Sequence, residues 1–196
     1  MMMFHRKWFL IGFCLLTMAS CNLKKPDSAV QQRPEPDSSL FPTTAGAYWI
    51  YRYQFSPGAT DTTVVCRITG KRFVGNRVFH EFINYPGPSM PGALNRQSSR
   101  LLRYDVVQQA VVEWIESIQR ETVIFMVTDP LVSRRSEYTV SIGTLTNVFL
   151  QEADPLLRDA GITQAYAEKV GLVKFSFMTI VGGGSFELTK YRIPSP

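Results

Sequence analysis

Histidine and cysteine are scarce in this chain: its 196 residues include two histidines and three cysteines. Zinc sites usually draw on several such ligands, so no metal site is expected. Outside the first twenty residues the one histidine is His80, which any Ser-His-Asp or Cys-His arrangement would have to use as its base. It lies in an apparent strand with no nucleophile elbow nearby. We therefore expect an ordinary strand histidine, no catalytic residues, no cofactor and no enzyme activity, with a hydrolase as the rival interpretation.

Long apolar runs are also lacking. The longest stretch of interest, Trp8 to Leu16, has nine residues, whereas a membrane-spanning helix needs about 20. It follows the basic residues Arg6 and Lys7 and precedes the small residues Ala19 and Ser20. This order is typical of a signal peptide, which we place at residues 1–20.

The stretch Met18-Ala19-Ser20-Cys21 resembles the bacterial lipobox, with Met18 in place of the usual leucine. The resemblance implies cleavage before Cys21 and a thioether lipid with acyl chains such as palmitate on its sulfur. Several chains together anchor a protein firmly, so the expected partner is the membrane, held through Cys21. The alternative is an ordinary secretory signal that leaves Cys21 as a free thiol. With Cys14 removed and Cys21 lipidated, only Cys66 remains, and we expect it buried in a strand rather than reactive.

Residues 21–40 contain three prolines among polar and charged residues and almost nothing apolar, which predicts a flexible tether. A single domain is predicted for residues 41–196. Asn22, where aspartate is a retention signal for the inner membrane in some bacteria, favours the outer membrane, facing the periplasm. The formal charge of +5 is spread along the chain, so no nucleic acid partner is expected.

The domain lacks long stretches of helical periodicity and is rich in short alternating segments bounded by turn residues. The predicted strands are Ala47–Phe55, Thr62–Ile68, Arg72–Val74, Arg77–Ile83, Arg100–Tyr104, Ala110–Ser117, Glu121–Thr128, Glu137–Ile142, Leu145–Glu152, Tyr166–Val181 and Ser185–Ile193. Gly75-Asn76 predicts a tight hairpin turn, and Gly182-Gly183-Gly184 predicts another rather than a phosphate loop. Tyr85–Ser99 is predicted to be a long loop, and Asp154–Asp159 a short helical turn.

This succession of short strands predicts an all-β fold. A sheet of so many strands must curl, close or split. We expect a curved antiparallel meander, either a half-barrel or a barrel, with a two-sheet β-sandwich as the alternative.

Two segments carry a family resemblance. Gly46–Tyr51 is similar to the G-x-Y-W-x-Y opening strand of small β-rich bacterial envelope lipoproteins of unknown function, and Tyr166–Lys174 resembles their Y-x-x-G-V-G-L-V-K strand. Lys169 occupies the position of a glycine in that pattern. The resemblance implies a curved antiparallel sheet distantly like lipoprotein-carrier or lipocalin-type shells. It supplies no catalytic residues.

Carboxylates and arginines offer few other candidates. Glu113 and Glu116 are three residues apart, which would place them on opposite faces of a strand. Arg134-Arg135 is interpreted as a solvated loop.

Aromatic residues recur on most of the predicted strands. They favour a plain core, with a concave apolar pocket as the alternative. The sequence therefore predicts a membrane-anchored lipoprotein of the cell envelope that binds an apolar ligand or an envelope protein, at residues it does not identify.

Overall fold

The computed structural model describes residues 40–56, 61–87, 98–153, 161–180 and 182–195, all within one compact unit, Pro36–Pro196. The predicted signal peptide, Cys21 and the helical turn at Asp154–Asp159 lie outside these residues. The strands are β1 Tyr48–Ser56, β2 Thr62–Val74, β3 Arg77–Ile83, β4 Ser99–Asp105, β5 Ala110–Ile115, β6 Arg120–Met126, β7 Val132–Val140, β8 Gly143–Gln151, β9 Gly161–Ala167, β10 Gly171–Thr179 and β11 Gly182–Arg192. A 3-10 turn, Glu116–Ile118, joins β5 to β6.

All eleven strands belong to one antiparallel sheet with the order β6-β5-β4-β3-β2-β1-β11-β10-β9-β8-β7. The first strand pairs with β2 on one side and with the last strand, β11, on the other. Strands β6 and β7 stand at the two ends of this order, so the sheet is open. The predicted all-β curved meander is confirmed, and a two-sheet sandwich is not formed.

The sheet curls strongly. Seven strands separate β6 from β9 in the sheet order, yet the Phe125 ring of β6 lies 4.3 Å from the Tyr166 ring of β9, centroid to centroid. Gln164 of β9 also donates a hydrogen bond of 2.9 Å from Nε2 to the backbone oxygen of Ile124 in β6. Side chains from distant strands of the open sheet therefore meet across its concave face, and together they enclose the core.

Alternation along the central strands explains which side chains fill that core. On β1 the inward positions are Trp49, Tyr51 and Tyr53, and all three are buried. On β2 the inward residues include Cys66, which is fully buried as predicted. Successive side chains of a strand point to opposite faces, so an apolar residue at every second position produces one apolar face.

The core begins before the first strand. Leu40 and Phe41 are both buried. The Phe41 ring lies 5.2 Å from that of Phe82 and 6.2 Å from that of Tyr85. Leu40, the last residue of the predicted tether, therefore packs with the core of the domain.

Five predicted strand boundaries were wrong, and one of them is the start of β9, which lies at Gly161 rather than at Tyr166. Residues 62–74 form a single strand whose register shifts at Gly70, and β7 begins at Val132 rather than at Glu137. Its early residues include Arg134 and Arg135, predicted to lie in a loop. The guanidinium of Arg134 lies over the Phe149 ring at 5.7 Å, so cross-strand packing stabilises an extended backbone there.

The other two boundaries concern the closing strands. The predicted strand Tyr166–Val181 is interrupted by a turn at residues 168–170, where Lys169 adopts a left-handed φ of 62°. A lysine therefore occupies the left-handed position of this turn. The three glycines 182–184 open β11 instead of forming its turn. Small side chains are needed there because Phe177 and Tyr53 pack against Gly184.

Candidate functional site

A cavity of about 270 Å³ opens where the β4–β6 end of the curled sheet faces β9 and β10. We call it the interior cavity. Its lining comprises Pro86, Gly87, Arg100, Glu113, Val123, Ile124, Ile162, Gln164 and Phe175. Apolar side chains form most of its walls, and a few polar groups converge on it, as is typical of small-molecule sites.

Arg100 and Glu113 are the charged residues of this lining. Arg100 is in register with Phe82 on β3, and Glu113 is in register with Leu102 on β4. Cross-strand partners share a face, so both charged side chains point toward the concave side. The packing of the sheet therefore places an ion pair among apolar residues.

The ion pair is bidentate. Arg100 donates from Nε to Glu113 Oε1 at 2.7 Å and from Nη2 to Oε2 at 2.6 Å. The two side chains are only 15% and 14% exposed. Burial lowers the pKa of Arg100, but the hydrogen bonds and the charge of Glu113 outweigh it and raise that pKa above its usual value. The guanidinium therefore stays protonated.

Backbone and aromatic contacts hold Arg100 in position. Its Nη1 donates to the backbone oxygen of Pro86 at 3.0 Å, and its guanidinium lies 5.4 Å from the centre of the Tyr85 ring. A Cβ built on Gly87 would lie 2.5 Å from Nη1. Glycine at position 87 thus makes room for the guanidinium against the backbone.

A line of hydrogen bonds continues from Tyr85. Its hydroxyl lies 2.8 Å from that of Tyr166, and the Tyr166 hydroxyl lies 3.5 Å from Gln164 Oε1. Gln164 Nε2 also contacts Gln151 Oε1 at 3.3 Å. Burial raises the pKa of both tyrosines well above the usual value. Both phenols are therefore neutral donors.

A second cavity, of about 380 Å³, also borders Arg100 and Glu113. Its lining includes Glu81, Trp114 and Glu116. Glu113 and Glu116, which were expected on opposite faces of one strand, both line this cavity, because β5 ends at Ile115 and Glu116 lies in the 3-10 turn. Glu116 pairs with Arg72 in this region.

The residues considered in the sequence have ordinary places. His80 is fully buried on β3, in register with Leu102. Burial raises the pKa of the Cys66 thiol. Within the described ranges, His, Cys, Asp and Glu side chains form no group of three that could hold a metal. No helix in that same part of the chain is long and apolar enough to cross a bilayer.

Most of the aromatic residues on the predicted strands lie in the core, as expected for a plain core. Phe175 is the aromatic residue in the described lining of the interior cavity. Sequence reasoning missed Arg100 and Gln164, and it considered Glu113 only as a possible partner of Glu116. Position along the strand could have indicated all three residues. Each lies two positions from a core residue on its own strand: Arg100 from Leu102, Glu113 from Val111 and Gln164 from Tyr166. A polar residue at an inward position of an apolar strand face is unusual and marks a site to examine.

The fold and the cavity define a class: an open, strongly curled antiparallel meander with a small, partly polar cavity inside its concave face. No family model and no curated protein matches this chain. Among solved structures it is similar to a protein from Parabacteroides distasonis described as a "putative lipoprotein", at 13% identity and a TM-score of 0.37, covering 78% of this chain and 97% of that one. A second is a "putative exported protein with YmcC-like fold" from Bacteroides fragilis, at 12% identity and a TM-score of 0.35, covering 78% and 98% of the two chains.

Proposed function

We propose that this chain is a lipid-anchored lipoprotein of a bacterial cell envelope whose β domain binds an apolar or amphipathic small molecule in the interior cavity. The observation that supports binding is the cavity itself, about 270 Å³, which opens to solvent beside a filled core. A concave cavity with apolar walls and convergent polar groups favours a ligand site.

The binding role is non-enzymatic. His80, the histidine on which a hydrolase would depend, is fully buried in β3. The carboxylate in the cavity, Glu113, has both oxygens bound by Arg100. A general base must reach the proton that it removes, and neither group is placed to do so. These positions favour recognition over catalysis.

A small molecule is also favoured over a protein strand added to a sheet edge. At the β6 edge, the backbone oxygen of Ile124 already accepts a hydrogen bond from Gln164. The middle of the β7 edge carries the exposed charged residues Arg134, Arg135 and Glu137. Charged side chains on edge strands are a common protection against edge-to-edge pairing.

The anchor is Cys21, and the membrane is the outer membrane, with the domain facing the periplasm. The similarity of Met18–Cys21 to a lipobox supports the lipid, and Asn22 directly after it supports release from the inner membrane. A proline-rich tether then lets the domain stand clear of the headgroups.

Binding is tested with N-phenylnaphthylamine, a neutral fluorophore that brightens in apolar surroundings. We expect saturable brightening with the wild-type domain. Val123→Trp places a large side chain in the cavity lining and should weaken binding about tenfold or more. Val65→Trp is the matched control, because Val65 on β2 is 45% exposed and Val123 is 42% exposed, and only Val123 lines the cavity.

Equal binding by the two variants would show that the fluorophore binds elsewhere. Absence of saturable binding to the wild-type domain would refute the ligand-binding role. Thermal unfolding of each variant verifies that it is folded.

A further inference from the structure

The interior cavity contains two opposite charges, Arg100 and Glu113, that already form an ion pair with each other. Of the five N–H donors of a guanidinium, Arg100 uses two on Glu113 and one on the Pro86 backbone oxygen. The remaining two have no partner among the described residues. The Glu113 oxygens retain further acceptor capacity. The site therefore offers both donors and acceptors but no net charge.

A charged ligand group would meet an unfavourable exchange here. A carboxylate that accepts from Arg100 would lie next to the Glu113 carboxylate and be repelled by it, and an ammonium that donates to Glu113 would be repelled by Arg100. Removing one partner of a buried pair leaves an uncompensated buried charge, which is strongly destabilising. The packing of Arg100 against Gly87 and Tyr85 also opposes its movement out of the pair. An uncharged group that donates and accepts can instead bind beside the intact pair.

We propose that the interior cavity selects amphipathic molecules whose polar end is uncharged, such as a primary alcohol or amide, over those that end in a carboxylate or an ammonium. This inference rests on the proposed binding function. The polar end lies beside Arg100 and Glu113, and the hydrocarbon part lies against Ile162 and Phe175.

The test measures displacement of N-phenylnaphthylamine by decanol, decanoate and decylamine at about pH 7, where the acid and the amine are charged. We expect decanol to bind at least tenfold more tightly than either charged compound. Lowering the pH through about 5 protonates decanoate and should strengthen its binding while leaving that of decanol unchanged.

An apolar cavity alone would also favour decanol, so paired variants isolate the role of the charges. Glu113→Gln leaves Arg100 without its counter-charge and should improve decanoate relative to decanol at least tenfold. Arg100→Gln leaves Glu113 without its counter-charge and should strengthen the binding of decylamine relative to decanol at least tenfold. The double variant, with no charge left, should restore the preference for decanol.

The outcomes separate the two proposals. Wild-type binding of decanoate as tight as that of decanol overturns the inference and leaves ligand binding intact. The inference is also overturned if both single variants bind decanol, decanoate and decylamine in the same order of affinity as the wild type. If one single variant does not fold, the change in ligand order in the other single variant still decides. Failure of the fluorophore and of all three compounds to bind refutes the proposed function itself.

Discussion

At the scale of single residues, Gly184 shows how packing, rather than backbone freedom, requires a glycine. It lies inside β11, and a Cβ at this position would come within 2.9 Å of Phe177 Cε1 and of the Tyr53 ring. Both aromatic side chains are buried, so neither can move into solvent to make room. The sequence predicted a turn here because three glycines in succession are typical of turns.

Gly184→Ala should therefore destabilise the domain by about 1–3 kcal/mol, the usual cost of overpacking. The measurement is urea unfolding followed by far-UV circular dichroism. Gly70→Ala is the control, because its added Cβ would meet only Glu81 Oε2, at 3.7 Å. There the loss of unfolded-state entropy should leave stability unchanged or slightly higher. Equal destabilisation by the two substitutions would contradict the packing explanation.

The ion pair of Arg100 and Glu113 belongs to the same scale. Each residue type is common on strand surfaces, and neither neighbouring sequence marks a site. What distinguishes the pair is that both side chains point inward and are only slightly exposed. Those properties depend on the cross-strand register, which local sequence specifies only through the alternation of its neighbours.

At the scale of elements, two side chains of β1 reach across β11 to the backbone of the β9–β10 region. Trp49 Nε1 donates to the backbone oxygen of Val170 at 2.6 Å, and the Tyr51 hydroxyl donates to that of Leu172 at 2.8 Å. The β9–β10 register shifts between Leu172 and Lys174. These hydrogen bonds satisfy carbonyl groups next to that irregularity. The two segments that carry the family resemblance thus meet in space.

Another link joins the β7–β8 turn to β11. The Glu187 carboxylate accepts hydrogen bonds from the backbone nitrogen of Ser141, at 2.8 Å, and from the Ser141 hydroxyl. Arg52 Nη2 lies 3.5 Å away. The Ser141 hydrogen bonds, aided by the charge of Arg52, lower the pKa of Glu187 below its usual value of 4.5 despite partial burial.

Because the folded-state pKa of Glu187 is lowered, its contribution to stability is complete above pH 4.5 and is lost as the pH falls through the folded-state value. Glu187→Gln should therefore flatten the loss of unfolding free energy on acidification below that pH. The measurement is urea unfolding at a series of pH values. Glu137→Gln, on the exposed face of β7, should follow the wild-type curve. A Glu187→Gln curve parallel to the wild type would exclude this role.

At the scale of the whole molecule, the proposed attachment to the membrane depends on one residue, Cys21, outside the described part of the chain. Cys21→Ser should move the protein from the membrane fraction to the soluble fraction, because a folded domain without acyl chains has no anchor. Fractionation followed by immunoblotting measures this. Cys66→Ala is the control, since it removes the other cysteine expected in the mature protein and should leave the protein on the membrane. A Cys21→Ser protein that stays on the membrane contradicts the anchor.

The strands and the fold class were largely predictable from the sequence. Apolar residues alternate along Trp49–Tyr53 and Val64–Ile68, and a strand with one apolar face must bury it. Two of the boundaries that failed, at Lys169 and at Gly182–Gly184, are positions where local preference did not determine the structure. A lysine adopts a left-handed conformation at one, and packing against aromatic rings excludes side chains at the other.

The sequence by itself determined the alternating strands, the buried thiol of Cys66 and the order of a meander, because these follow from local periodicity and short connections. Only the tertiary structure decided the pairing of β1 with β11, the contact between β6 and β9, and the cavity between them. Curvature accumulates strand by strand from twist and bulges, and its total determines which distant strands meet. Arg100, Glu113 and Gln164 acquire a shared site only after that closure.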